Sequence, residues 1–400
     1  MSLTEKKGER KLISNPWKLF FIAIIICLIT GCSDIKEIQS SSYVMALGFD
    51  FKDGKYHVYA QMTDFSSIAK QEGGNNESPK IYIYEEVGEN FPEALFNIYD
   101  TSQGKVIWAH VTSIVLTEAV IKEGFQEIFD GLTRYHEFRL TPWVYGTRGS
   151  IEDIFSTTGF FNQPPTSTLL HNPKENYKQL SKIRPIKLFQ YSRELYEPQF
   201  TTYLPSLKVD DEQWKEKDKK EAKIVYDGAF FVQNRSYKGF FPMEDLEGLR
   251  WVTPESKRLK LTIGENQKHY DFVLVLAESR VNKKMTNKNG IQAHLMFKGY
   301  ITSRNNNNVT SPAKIERLAE DRIRKEVEDL YTLGIDRKTD ILNLEHILYR
   351  DQHEKWKEIK STEIKDVFKD ISLEEIKVDV FIDNTGSLDN RKLEIEQINH

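Results

Sequence analysis

Hydrophobic and polar positions in the first half of the chain alternate between two patterns, one typical of strands and one of helices. Runs rich in β-branched and aromatic residues predict strands, and Asp53-Gly54 supplies a tight hairpin turn within the first run. Apolar residues at helical spacing predict amphipathic helices between the strands. The predicted strands are "YVMALGFDFKDGKYHVYAQM", "IYIYEEV", "TSIVLT" and "LTPWVYGT", and the predicted helices are "NFPEALFNIYD", "EAVIKEGFQEIFDGL" and "SIEDIF", the last capped by Ser150. This alternation predicts a mixed sheet with helices packed on it.

The second half of the chain groups its predicted strands ahead of its predicted helices. Four strands come first, within "IVYDGAFFVQNRSYKGFF", "YDFVLVLAESRV" and "IQAHLMFKGYIT". The clearest helix follows Ser311-Pro312, because proline after a serine cap is a preferred helix start. Its apolar stripe comprises Ile315, Leu318, Ala319, Ile323, Val327, Leu330 and Tyr331. A second helix, "DILNLEHILYRDQHEKWKEI", and a last strand, "IKVDVFID", complete an α+β pattern, which predicts an antiparallel sheet with two helices on one face.

Composition places the main domain boundary at residues 209–223, "VDDEQWKEKDKKEAK", which are nearly all charged and almost balanced in sign. Such a run is either a solvated linker or an exposed helix. It separates an N-terminal α/β-type domain, 32–208, from a C-terminal α+β domain, 224–395. Residues 156–208 are less regular, so they either wrap the first domain or form a small subdomain of their own. The fold class predicted for the whole chain is multi-domain α+β with mixed sheets.

Residues 1–31 have the order of a secretory signal peptide. Residues 1–18 carry five basic and two acidic side chains, and residues 19–30 are apolar up to the closing threonine. Twelve helical residues cover about 18 Å, whereas the hydrocarbon core of a bilayer is about 30 Å thick, so the apolar run is too short to span by itself. Ile29-Thr30-Gly31-Cys32 resembles the bacterial lipobox, in which the thiol takes a diacylglycerol. We predict cleavage between Gly31 and Cys32 and lipid attachment at Cys32; the alternative is an ordinary cleaved signal.

Charge and cysteine content narrow the class of protein. The formal net charge of −4 becomes more negative without the basic N-terminal segment, which argues against a nucleic-acid partner. Of the two cysteines, Cys27 leaves with the predicted signal and Cys32 carries the predicted lipid. No intrachain disulfide, thiol nucleophile or thiolate metal site is then predicted for the mature chain. Aromatic residues make up 12% of the sequence, so the chain can build a core and is not a disordered tether.

Motifs of catalytic and cofactor sites are missing from the sequence, which has no H-E-x-x-H, G-x-S-x-G, P-loop or G-x-G-x-x-G. His346 and His353 lie seven residues apart on the predicted second helix, which is too far for the i, i+4 spacing that chelation needs. Trp108 and His110 precede a buried strand, where a packed tryptophan beside a hydrogen-bonded histidine is favoured over a ligand site. The sequence therefore predicts no catalytic residue, no metal and no cofactor, and hence no enzyme.

Short motifs near the predicted mature N-terminus and three later segments occur in a fixed order. The short motifs comprise Cys32, Asp34, Glu37, Ala46, Gly48 and Asp50. The later segments are "VIWAHVTSIVLTEAVIKEG", "EFRLTPWVYGTRGSIEDIF" and "GAFFVQNRSYKGFFPMEDLEGLRWV". In this order they resemble the Ger(x)C lipoproteins, the C subunits of the nutrient-germinant receptors of bacterial spores. Two positions depart from that family, since Ser33 stands where tryptophan is usual and Ala109 where glycine is usual.

This resemblance implies a non-catalytic receptor subunit with A-type and B-type membrane subunits as its partners. It also implies a diacylglyceryl anchor on the outer face of the cytoplasmic membrane, which is the inner membrane of the spore. The family has no catalytic residues to carry over, so Cys32 is the site residue that it implies. Two other classes remain as alternatives. A solute-binding lipoprotein of a transporter would have two similar α/β lobes, and a lipid-anchored surface hydrolase would need a nucleophile motif.

Overall fold

The structure is a computed structural model. It describes Trp17 and residues 42–63, 80–123, 125–134, 137–264, 270–286, 290–305, 311–361 and 371–383. The described residues from Ser42 to Asp383 form one compact unit. Gly31, Cys32, Asp34 and Glu37 lie outside the described residues, as does the predicted signal peptide apart from Trp17. Their assignment therefore depends on the sequence alone.

Strands and helices alternate along the first half and are grouped along the second half, as the two patterns predict. The strands are β1 Ser42–Lys52, β2 Lys55–Thr63, β3 Ile81–Gly88, β4 Val106–Ile107, β5 Ser113–Thr117, β6 Trp143–Thr147, β7 Ile186–Lys187, β8 Thr201–Asp210, β9 Lys215–Glu216, β10 Lys219–Lys220, β11 Lys223–Gln233, β12 Ser236–Pro242, β13 Leu259–Gly264, β14 Tyr270–Met285, β15 Gly290–Arg304 and β16 Ser372–Ile382. The α-helices are α1 Phe91–Phe96, α2 Ile98–Thr101, α3 Glu118–Glu123, α4 Gln126–Arg134, α5 Ile151–Ser156, α6 Pro173–Gln179, α7 Leu188–Tyr196, α8 Leu249–Val252, α9 Pro312–Asp336, α10 Leu344–Asp351 and α11 His353–Ser361.

A large mixed sheet organises the first half of the chain. Its strand order is β12-β11-β8-β6-β5-β1-β2-β3, with β4 paired to β1 and β7 to β6. The four central strands, β1, β5, β6 and β8, are parallel, and antiparallel hairpins extend the sheet at both edges. Every residue of β5 and β6 is buried, because the connections between parallel strands cross the faces of the sheet and cover them. The predicted mixed sheet with helices on it is confirmed.

Apolar side chains fill both faces of this large sheet. On one face, Phe91 of α1, Ile128 of α4 and Tyr191 of α7 pack into one buried cluster with the strands. On the other face, Phe155 of α5 and Leu170 pack against Tyr145 of β6. The sequence assigns residues 156–208 either to a wrapping segment or to a small subdomain. In the structure their last part belongs to strand β8 of the large sheet, and earlier residues of the range pack on both of its faces. They add β7 to the edge of β6, so they share the large sheet's core.

The sequence predicts helix α5 correctly but merges two other helices of the first half into one. Ser150 caps α5, since its hydroxyl oxygen accepts a hydrogen bond from the backbone N–H of Asp153 at 3.1 Å. The single helix predicted over "EAVIKEGFQEIFDGL" is instead two helices, α3 and α4. The residue between Glu123 and Phe125 in the sequence is a glycine, and glycine in a helix interior is unfavourable by about 1 kcal/mol relative to alanine.

Residues 209–223 connect two paired strands of the large sheet. They are neither an exposed helix nor a linker between separate sheets, because β8 and β11 at their two ends pair antiparallel with each other. Thr201 pairs with Gln233 at one end of this pairing, and Asp210 pairs with Lys223 at the other. The charged run is the exposed end of this hairpin and contains the two-stranded ribbon β9–β10. The predicted strands β11 and β12 therefore belong to the large sheet and not to a C-terminal one. The chain enters the second sheet only after Pro242.

The second sheet has four strands in the order β13-β14-β15-β16. Strands β14 and β15 are antiparallel as predicted. Strand β13, which the sequence analysis does not predict, pairs antiparallel with β14, and β16 is parallel to β15. A parallel neighbour needs a crossover, and the helices α9 to α11 between β15 and β16 provide one. Helix α9 starts at the predicted Ser311-Pro312 and lays its apolar stripe on this sheet. Leu318, which is 37% exposed, is the stripe member that lies outside the core.

Polar side chains of α9 cover the free edge of β16. Glu316 and Glu320 accept hydrogen bonds from the backbone N–H groups of Ile382 and Val380 at 2.9 and 3.1 Å. Arg324 donates from Nε to the carbonyl oxygen of Ile376 at 3.2 Å. The three α9 residues are four apart and thus share one helix face. An edge strand covered in this way is protected against pairing with another chain.

Candidate functional site

His346 and His353, the histidines considered as metal ligands from the sequence, contact different residues in the structure. His346 lies on α10, where its Nδ1 is 2.9 Å from the carbonyl oxygen of Pro198. His353 begins α11 and stacks on Trp356 with ring centroids 5.6 Å apart. Across the described ranges, no group of three or more His, Cys, Asp or Glu side chains is arranged to hold a metal ion.

Trp108 packs in the core beside the large sheet, whereas His110 is exposed. Trp108 is fully buried, and its Nε1–H donates to the hydroxyl of Tyr99 at 2.7 Å. His110 meets the ring of Tyr43 edge-on, with centroids 5.2 Å apart. The packed tryptophan that the sequence favoured over a ligand site is therefore what the structure has.

Gly48 and Asp50 of the A-x-G-x-D motif hold β1 against its neighbours. A Cβ atom on Gly48 would lie 2.5 Å from Cγ2 of Ile151, so a larger residue would push α5 off the sheet. The Asp50 carboxylate accepts from the hydroxyl of Thr117 at 2.5 Å and pairs with Lys52 at 2.6 Å. Burial raises the pKa of Asp50, but the hydrogen bonds from Lys52 and Thr117 outweigh that effect and hold the pKa below its ordinary value. The motif has a structural role here.

A buried polar cluster, which we call the His171 cluster, ties residues 155–171 to the large sheet. Nδ1 of the His171 ring lies 2.5 Å from Oγ1 of Thr112, and Nε2 of the same ring lies 2.9 Å from Oε1 of Gln61. The Gln61 amide in turn donates to the carbonyl oxygen of Phe155 at 2.6 Å. Burial lowers the pKa of His171 to about 3, so the ring is neutral at physiological pH. The cluster also includes Ser113, 3.2 Å from Nδ1 and fully buried, so this serine–histidine pair is closed to a substrate.

A concave surface of about 560 Å³ lies against β14, β15 and β16. Its lining mixes acidic and basic side chains with the exposed ring of Phe381. Among the described residues, none that lines it carries a buried polar atom without a hydrogen-bond partner. Nothing in this surface points to one kind of ligand.

A second cavity, which we call the junction cavity, lies where the two sheets meet and has a volume of about 350 Å³. Strand β8 of the large sheet forms one side, and α8, β14 and α10 form the others. One apolar cluster runs continuously from Tyr203 and Phe231 of the large sheet to Phe297 and Leu344 of the C-terminal layer. The residues that line the cavity are Arg184, Glu194, Phe200, Thr201, Tyr203, Leu249, Val252, Thr253, Pro254, Val281, Lys283, Ile341, Asn343, His346, Ile347 and Arg350.

Asn343 joins the two layers at the edge of the junction cavity. Its side-chain Oδ1 accepts from the backbone N–H of Thr201 at 2.6 Å, and its Nδ2 donates to the carbonyl oxygen of Thr201 at 3.1 Å. The amide thus satisfies the edge of β8 as a neighbouring strand would. Asp340 caps the start of α10 by accepting from the backbone N–H groups of Leu344 and Glu345 at 2.9 and 2.7 Å. Asn343 therefore ties the start of α10 to the large sheet, and Asp340 caps the same helix within the C-terminal layer.

Three polar atoms of the junction cavity's lining are buried without a hydrogen-bond partner among the described residues. They are Nε of Arg184, the hydroxyl of Thr201 and the hydroxyl of Tyr203. Thr201 and Tyr203 are two apart on β8 and therefore point to the same face. Leaving a buried donor or acceptor unpaired costs about 1–3 kcal/mol, so three together at one cavity need an explanation. Burial raises the pKa of Tyr203 to about 12, so its hydroxyl keeps the proton at neutral pH and can donate.

Basic groups outnumber acidic ones in the lining. Arg184 pairs with the one acidic lining residue, Glu194, with 2.9 Å between Nη2 and Oε1. Lys283 and Arg350 make no ion pair within the described residues. The ammonium of Lys283 donates to the carbonyl oxygen of Leu342 at 2.7 Å, and burial lowers its pKa to about 8. The cavity therefore offers positive charge and hydrogen-bond donors in a mostly apolar setting.

Sequence reasoning missed the junction cavity. Arg184 lies in an irregular segment, Tyr203 in a strand, and Lys283 in the polar end of another strand. These residues are far apart along the chain, and each is ordinary in its own neighbourhood. No local spacing or motif could have brought them together.

Among the described residues, no helix is both long and apolar enough to cross a membrane. The fold class is α+β, with one large mixed sheet and one sheet of four strands. The model of the spore germination protein N-terminal domain matches residues 34–209, and the model described as spore germination B3/GerAC like, C-terminal, matches residues 227–386. Together they cover most of the chain. The chain belongs to the Ger(x)C family of spore germination proteins.

Two curated relatives and one solved structure show how far the similarity extends. Spore germination protein KC of Bacillus subtilis (strain 168) is 21% identical over 393 residues, covering 93% of this chain and 96% of that protein. Spore germination protein B3 of the same organism is 24% identical and covers 86% and 90%. The crystal structure of the GerBC protein aligns with a TM-score of 0.53 at 15% identity, over 84% of this chain and 97% of that one. The relatives support a role in spore germination, and the solved structure shares the fold.

Proposed function

We propose that this protein is the lipid-anchored, non-catalytic C subunit of a nutrient-germinant receptor of bacterial spores. The observation that carries the proposal is family membership over residues 34–209 and 227–386, directly behind a lipobox at Cys32. The position of the cysteine matters, because the matched region begins two residues after it. The predicted mature chain is thus one anchor followed at once by the family's domains.

Cys32 supplies the attachment to the outer face of the cytoplasmic membrane, which is the inner membrane of the spore. A thiolate is a strong nucleophile for alkylation by a diacylglyceryl donor. Two acyl chains then hold a protein stably at a bilayer, whereas a single chain gives marginal binding. Anchoring keeps the subunit at a high effective concentration beside A-type and B-type membrane subunits, which are its proposed partners.

The proposed role is binding without chemistry. A subunit of this kind changes the response of a complex only if it binds one state of that complex more strongly than another. The alternative of a solute-binding lipoprotein calls for two lobes of similar topology. The sheets here differ in strand number and order, since one is a large mixed sheet with parallel central strands and the other has four strands. This difference favours the receptor subunit.

Deletion of the gene tests the function. We expect spores that form normally, fail to germinate with one nutrient or a small set of nutrients, and still germinate with calcium dipicolinate, which bypasses the receptor step. Cys32→Ala spores should show a weaker form of the same defect, and mass spectrometry of the wild-type mature N-terminus should find a diacylglyceryl cysteine. Deletion spores that answer every nutrient at the wild-type rate, with any receptor of overlapping range also deleted, would contradict the proposal. A mature chain that starts elsewhere would contradict the anchor alone.

A further inference from the structure

The junction cavity has the composition of a small-molecule site. Ligand sites are mostly apolar clefts of about 300–1,000 Å³ with a few converging polar groups. The junction cavity, at about 350 Å³, falls at the small end of that range. Phe200, Val252, Ile341 and Ile347 give it apolar walls. Its volume suits a compact metabolite.

Unpartnered polar atoms show where a ligand would bind. Thr201 is 2% exposed and Tyr203 is 9% exposed, and neither hydroxyl makes a hydrogen bond of standard geometry among the described residues. The Arg184 guanidinium lies close enough to the Tyr203 hydroxyl to lower its pKa against the larger effect of burial. Buried polar atoms in folded proteins are nearly always paired, so exceptions grouped at one cavity call for a missing partner. Arg184, whose Nε is the third such atom, is held in place by the ion pair of its Nη2 with Glu194. A positioned group with unused hydrogen-bonding capacity is the usual state of a binding site without its ligand.

The chemistry of these groups selects a negatively charged oxygen ligand. Arg184 and Lys283 can only donate hydrogen bonds, and the hydroxyls of Thr201 and Tyr203 can donate as well. Glu194 pairs with Arg184, and the nearby carboxyl group of Asp340 acts on Lys283. This leaves Arg350 as the basic lining residue without a neighbouring carboxylate partner among the described ion pairs. Hydrogen bonds from a cation to a carboxylate are shorter and stronger than neutral ones. The apolar walls would then contact the rest of the molecule.

We propose that the junction cavity binds a small organic carboxylate, with its anionic oxygens at Arg184, Thr201 and Tyr203 and a short apolar body against α8 and α10. Such a ligand would touch β8 of the large sheet and the helices of the C-terminal layer together. Its binding would therefore stabilise the contact between the two layers. This site goes beyond the proposed function and does not depend on it.

Ligand-observed saturation-transfer NMR on the full-length lipidated protein in detergent micelles tests this site. The probes are the straight-chain carboxylates propanoate, butanoate and pentanoate, each paired with its uncharged primary amide, and empty micelles give the background. We expect the acids to bind at millimolar or lower concentration and the amides to bind about tenfold more weakly. Tyr203→Phe should weaken binding of the acids about tenfold, because it removes one hydrogen-bond donor and leaves the ring in place.

Tyr84→Phe is the matched control. The hydroxyl of Tyr84 is also buried without a partner in the described part of the chain, but it lies on β3 at the far edge of the large sheet. That variant should bind the acids as the wild type does. Thr201→Val is a second variant that decides the test if Tyr203→Phe does not fold. The site is overturned if no acid binds above the micelle background, if acids and amides bind equally, or if the folded cavity variants bind as well as the wild type.

Discussion

The His171 cluster and the junction cavity both place polar groups against strands of the large sheet, yet they treat those groups differently. Both ring nitrogens of His171 and both amide atoms of Gln61 have partners within 2.5–2.9 Å. At the junction cavity, Arg184 Nε and the hydroxyls of Thr201 and Tyr203 have none among the described residues. A fully paired network fixes one packing arrangement, whereas a partly paired one at a cavity leaves capacity for a ligand. The first cluster therefore builds the fold and the second serves binding.

Removal of Gln61 from the His171 cluster should have the largest effect on stability. Gln61→Leu leaves Nε2 of His171 and the carbonyl oxygen of Phe155 buried without partners, and each such group costs about 1–3 kcal/mol. We expect the free energy of unfolding to fall by about 2 kcal/mol or more in chemical denaturation. Gln103→Leu, at an exposed site, is the control and should change it by less than about 0.5 kcal/mol. Equal effects of the two substitutions would show that the His171 cluster does not hold the fold together.

The pH dependence of stability should carry the signature of His171. Its pKa is lowered from an ordinary 6.5 to about 3 by burial, so between these values the unfolded chain binds a proton that the folded chain does not. The contribution of the neutral His171 ring to the free energy of unfolding is fully present above pH 6.5. It is lost as the pH falls from 6.5 toward 3, at up to about 1.4 kcal/mol per pH unit. His171→Gln should flatten that slope in melting experiments between pH 4.5 and 7. An unchanged slope would mean that other groups control it.

Elements with strong local signals were predictable, and their pairing was not. Helix α9 follows from its apolar stripe and from Ser311-Pro312, and α5 follows from the cap at Ser150. The strands β11 and β12 were found but assigned to the wrong sheet, because a charged run reads alike whether it links domains or ends a hairpin. The orientation of β16 was missed because a strand's sequence does not say whether its neighbour is parallel.

Functional residues divide in the same way between local and non-local signals. Cys32 is predictable because the lipobox is a contiguous motif. The junction cavity is not, because Arg184, Tyr203 and Lys283 meet only through the packing of β8 against α8, β14 and α10. Each belongs to a segment with an ordinary pattern of its own. A site assembled from distant segments leaves no signature in any one of them.

Substitutions at the junction cavity should have the smallest effect on stability. A variant there that keeps its stability but loses binding would distinguish a role in function from a role in the fold. Tyr203→Phe and Thr201→Val remove hydroxyls that have no partner among the described residues, so neither breaks a hydrogen bond seen in the structure. We expect each to change the free energy of unfolding by less than about 1 kcal/mol. A loss as large as that from Gln61→Leu would mean that these hydroxyls support the fold as the His171 cluster does.

The rate of nutrient germination in spores that carry the Tyr203→Phe, Thr201→Val double variant tests the central claim most directly. Spores with Tyr84→Phe are the control, and immunoblots establish equal amounts of each protein in the spore membrane. We predict that the double variant slows the response to the nutrient that fails in deletion spores, while its response to calcium dipicolinate and the rate of the Tyr84→Phe spores stay at the wild-type level. Double-variant spores that germinate at the wild-type rate with that nutrient, at equal protein level, would contradict a functional role for the junction cavity.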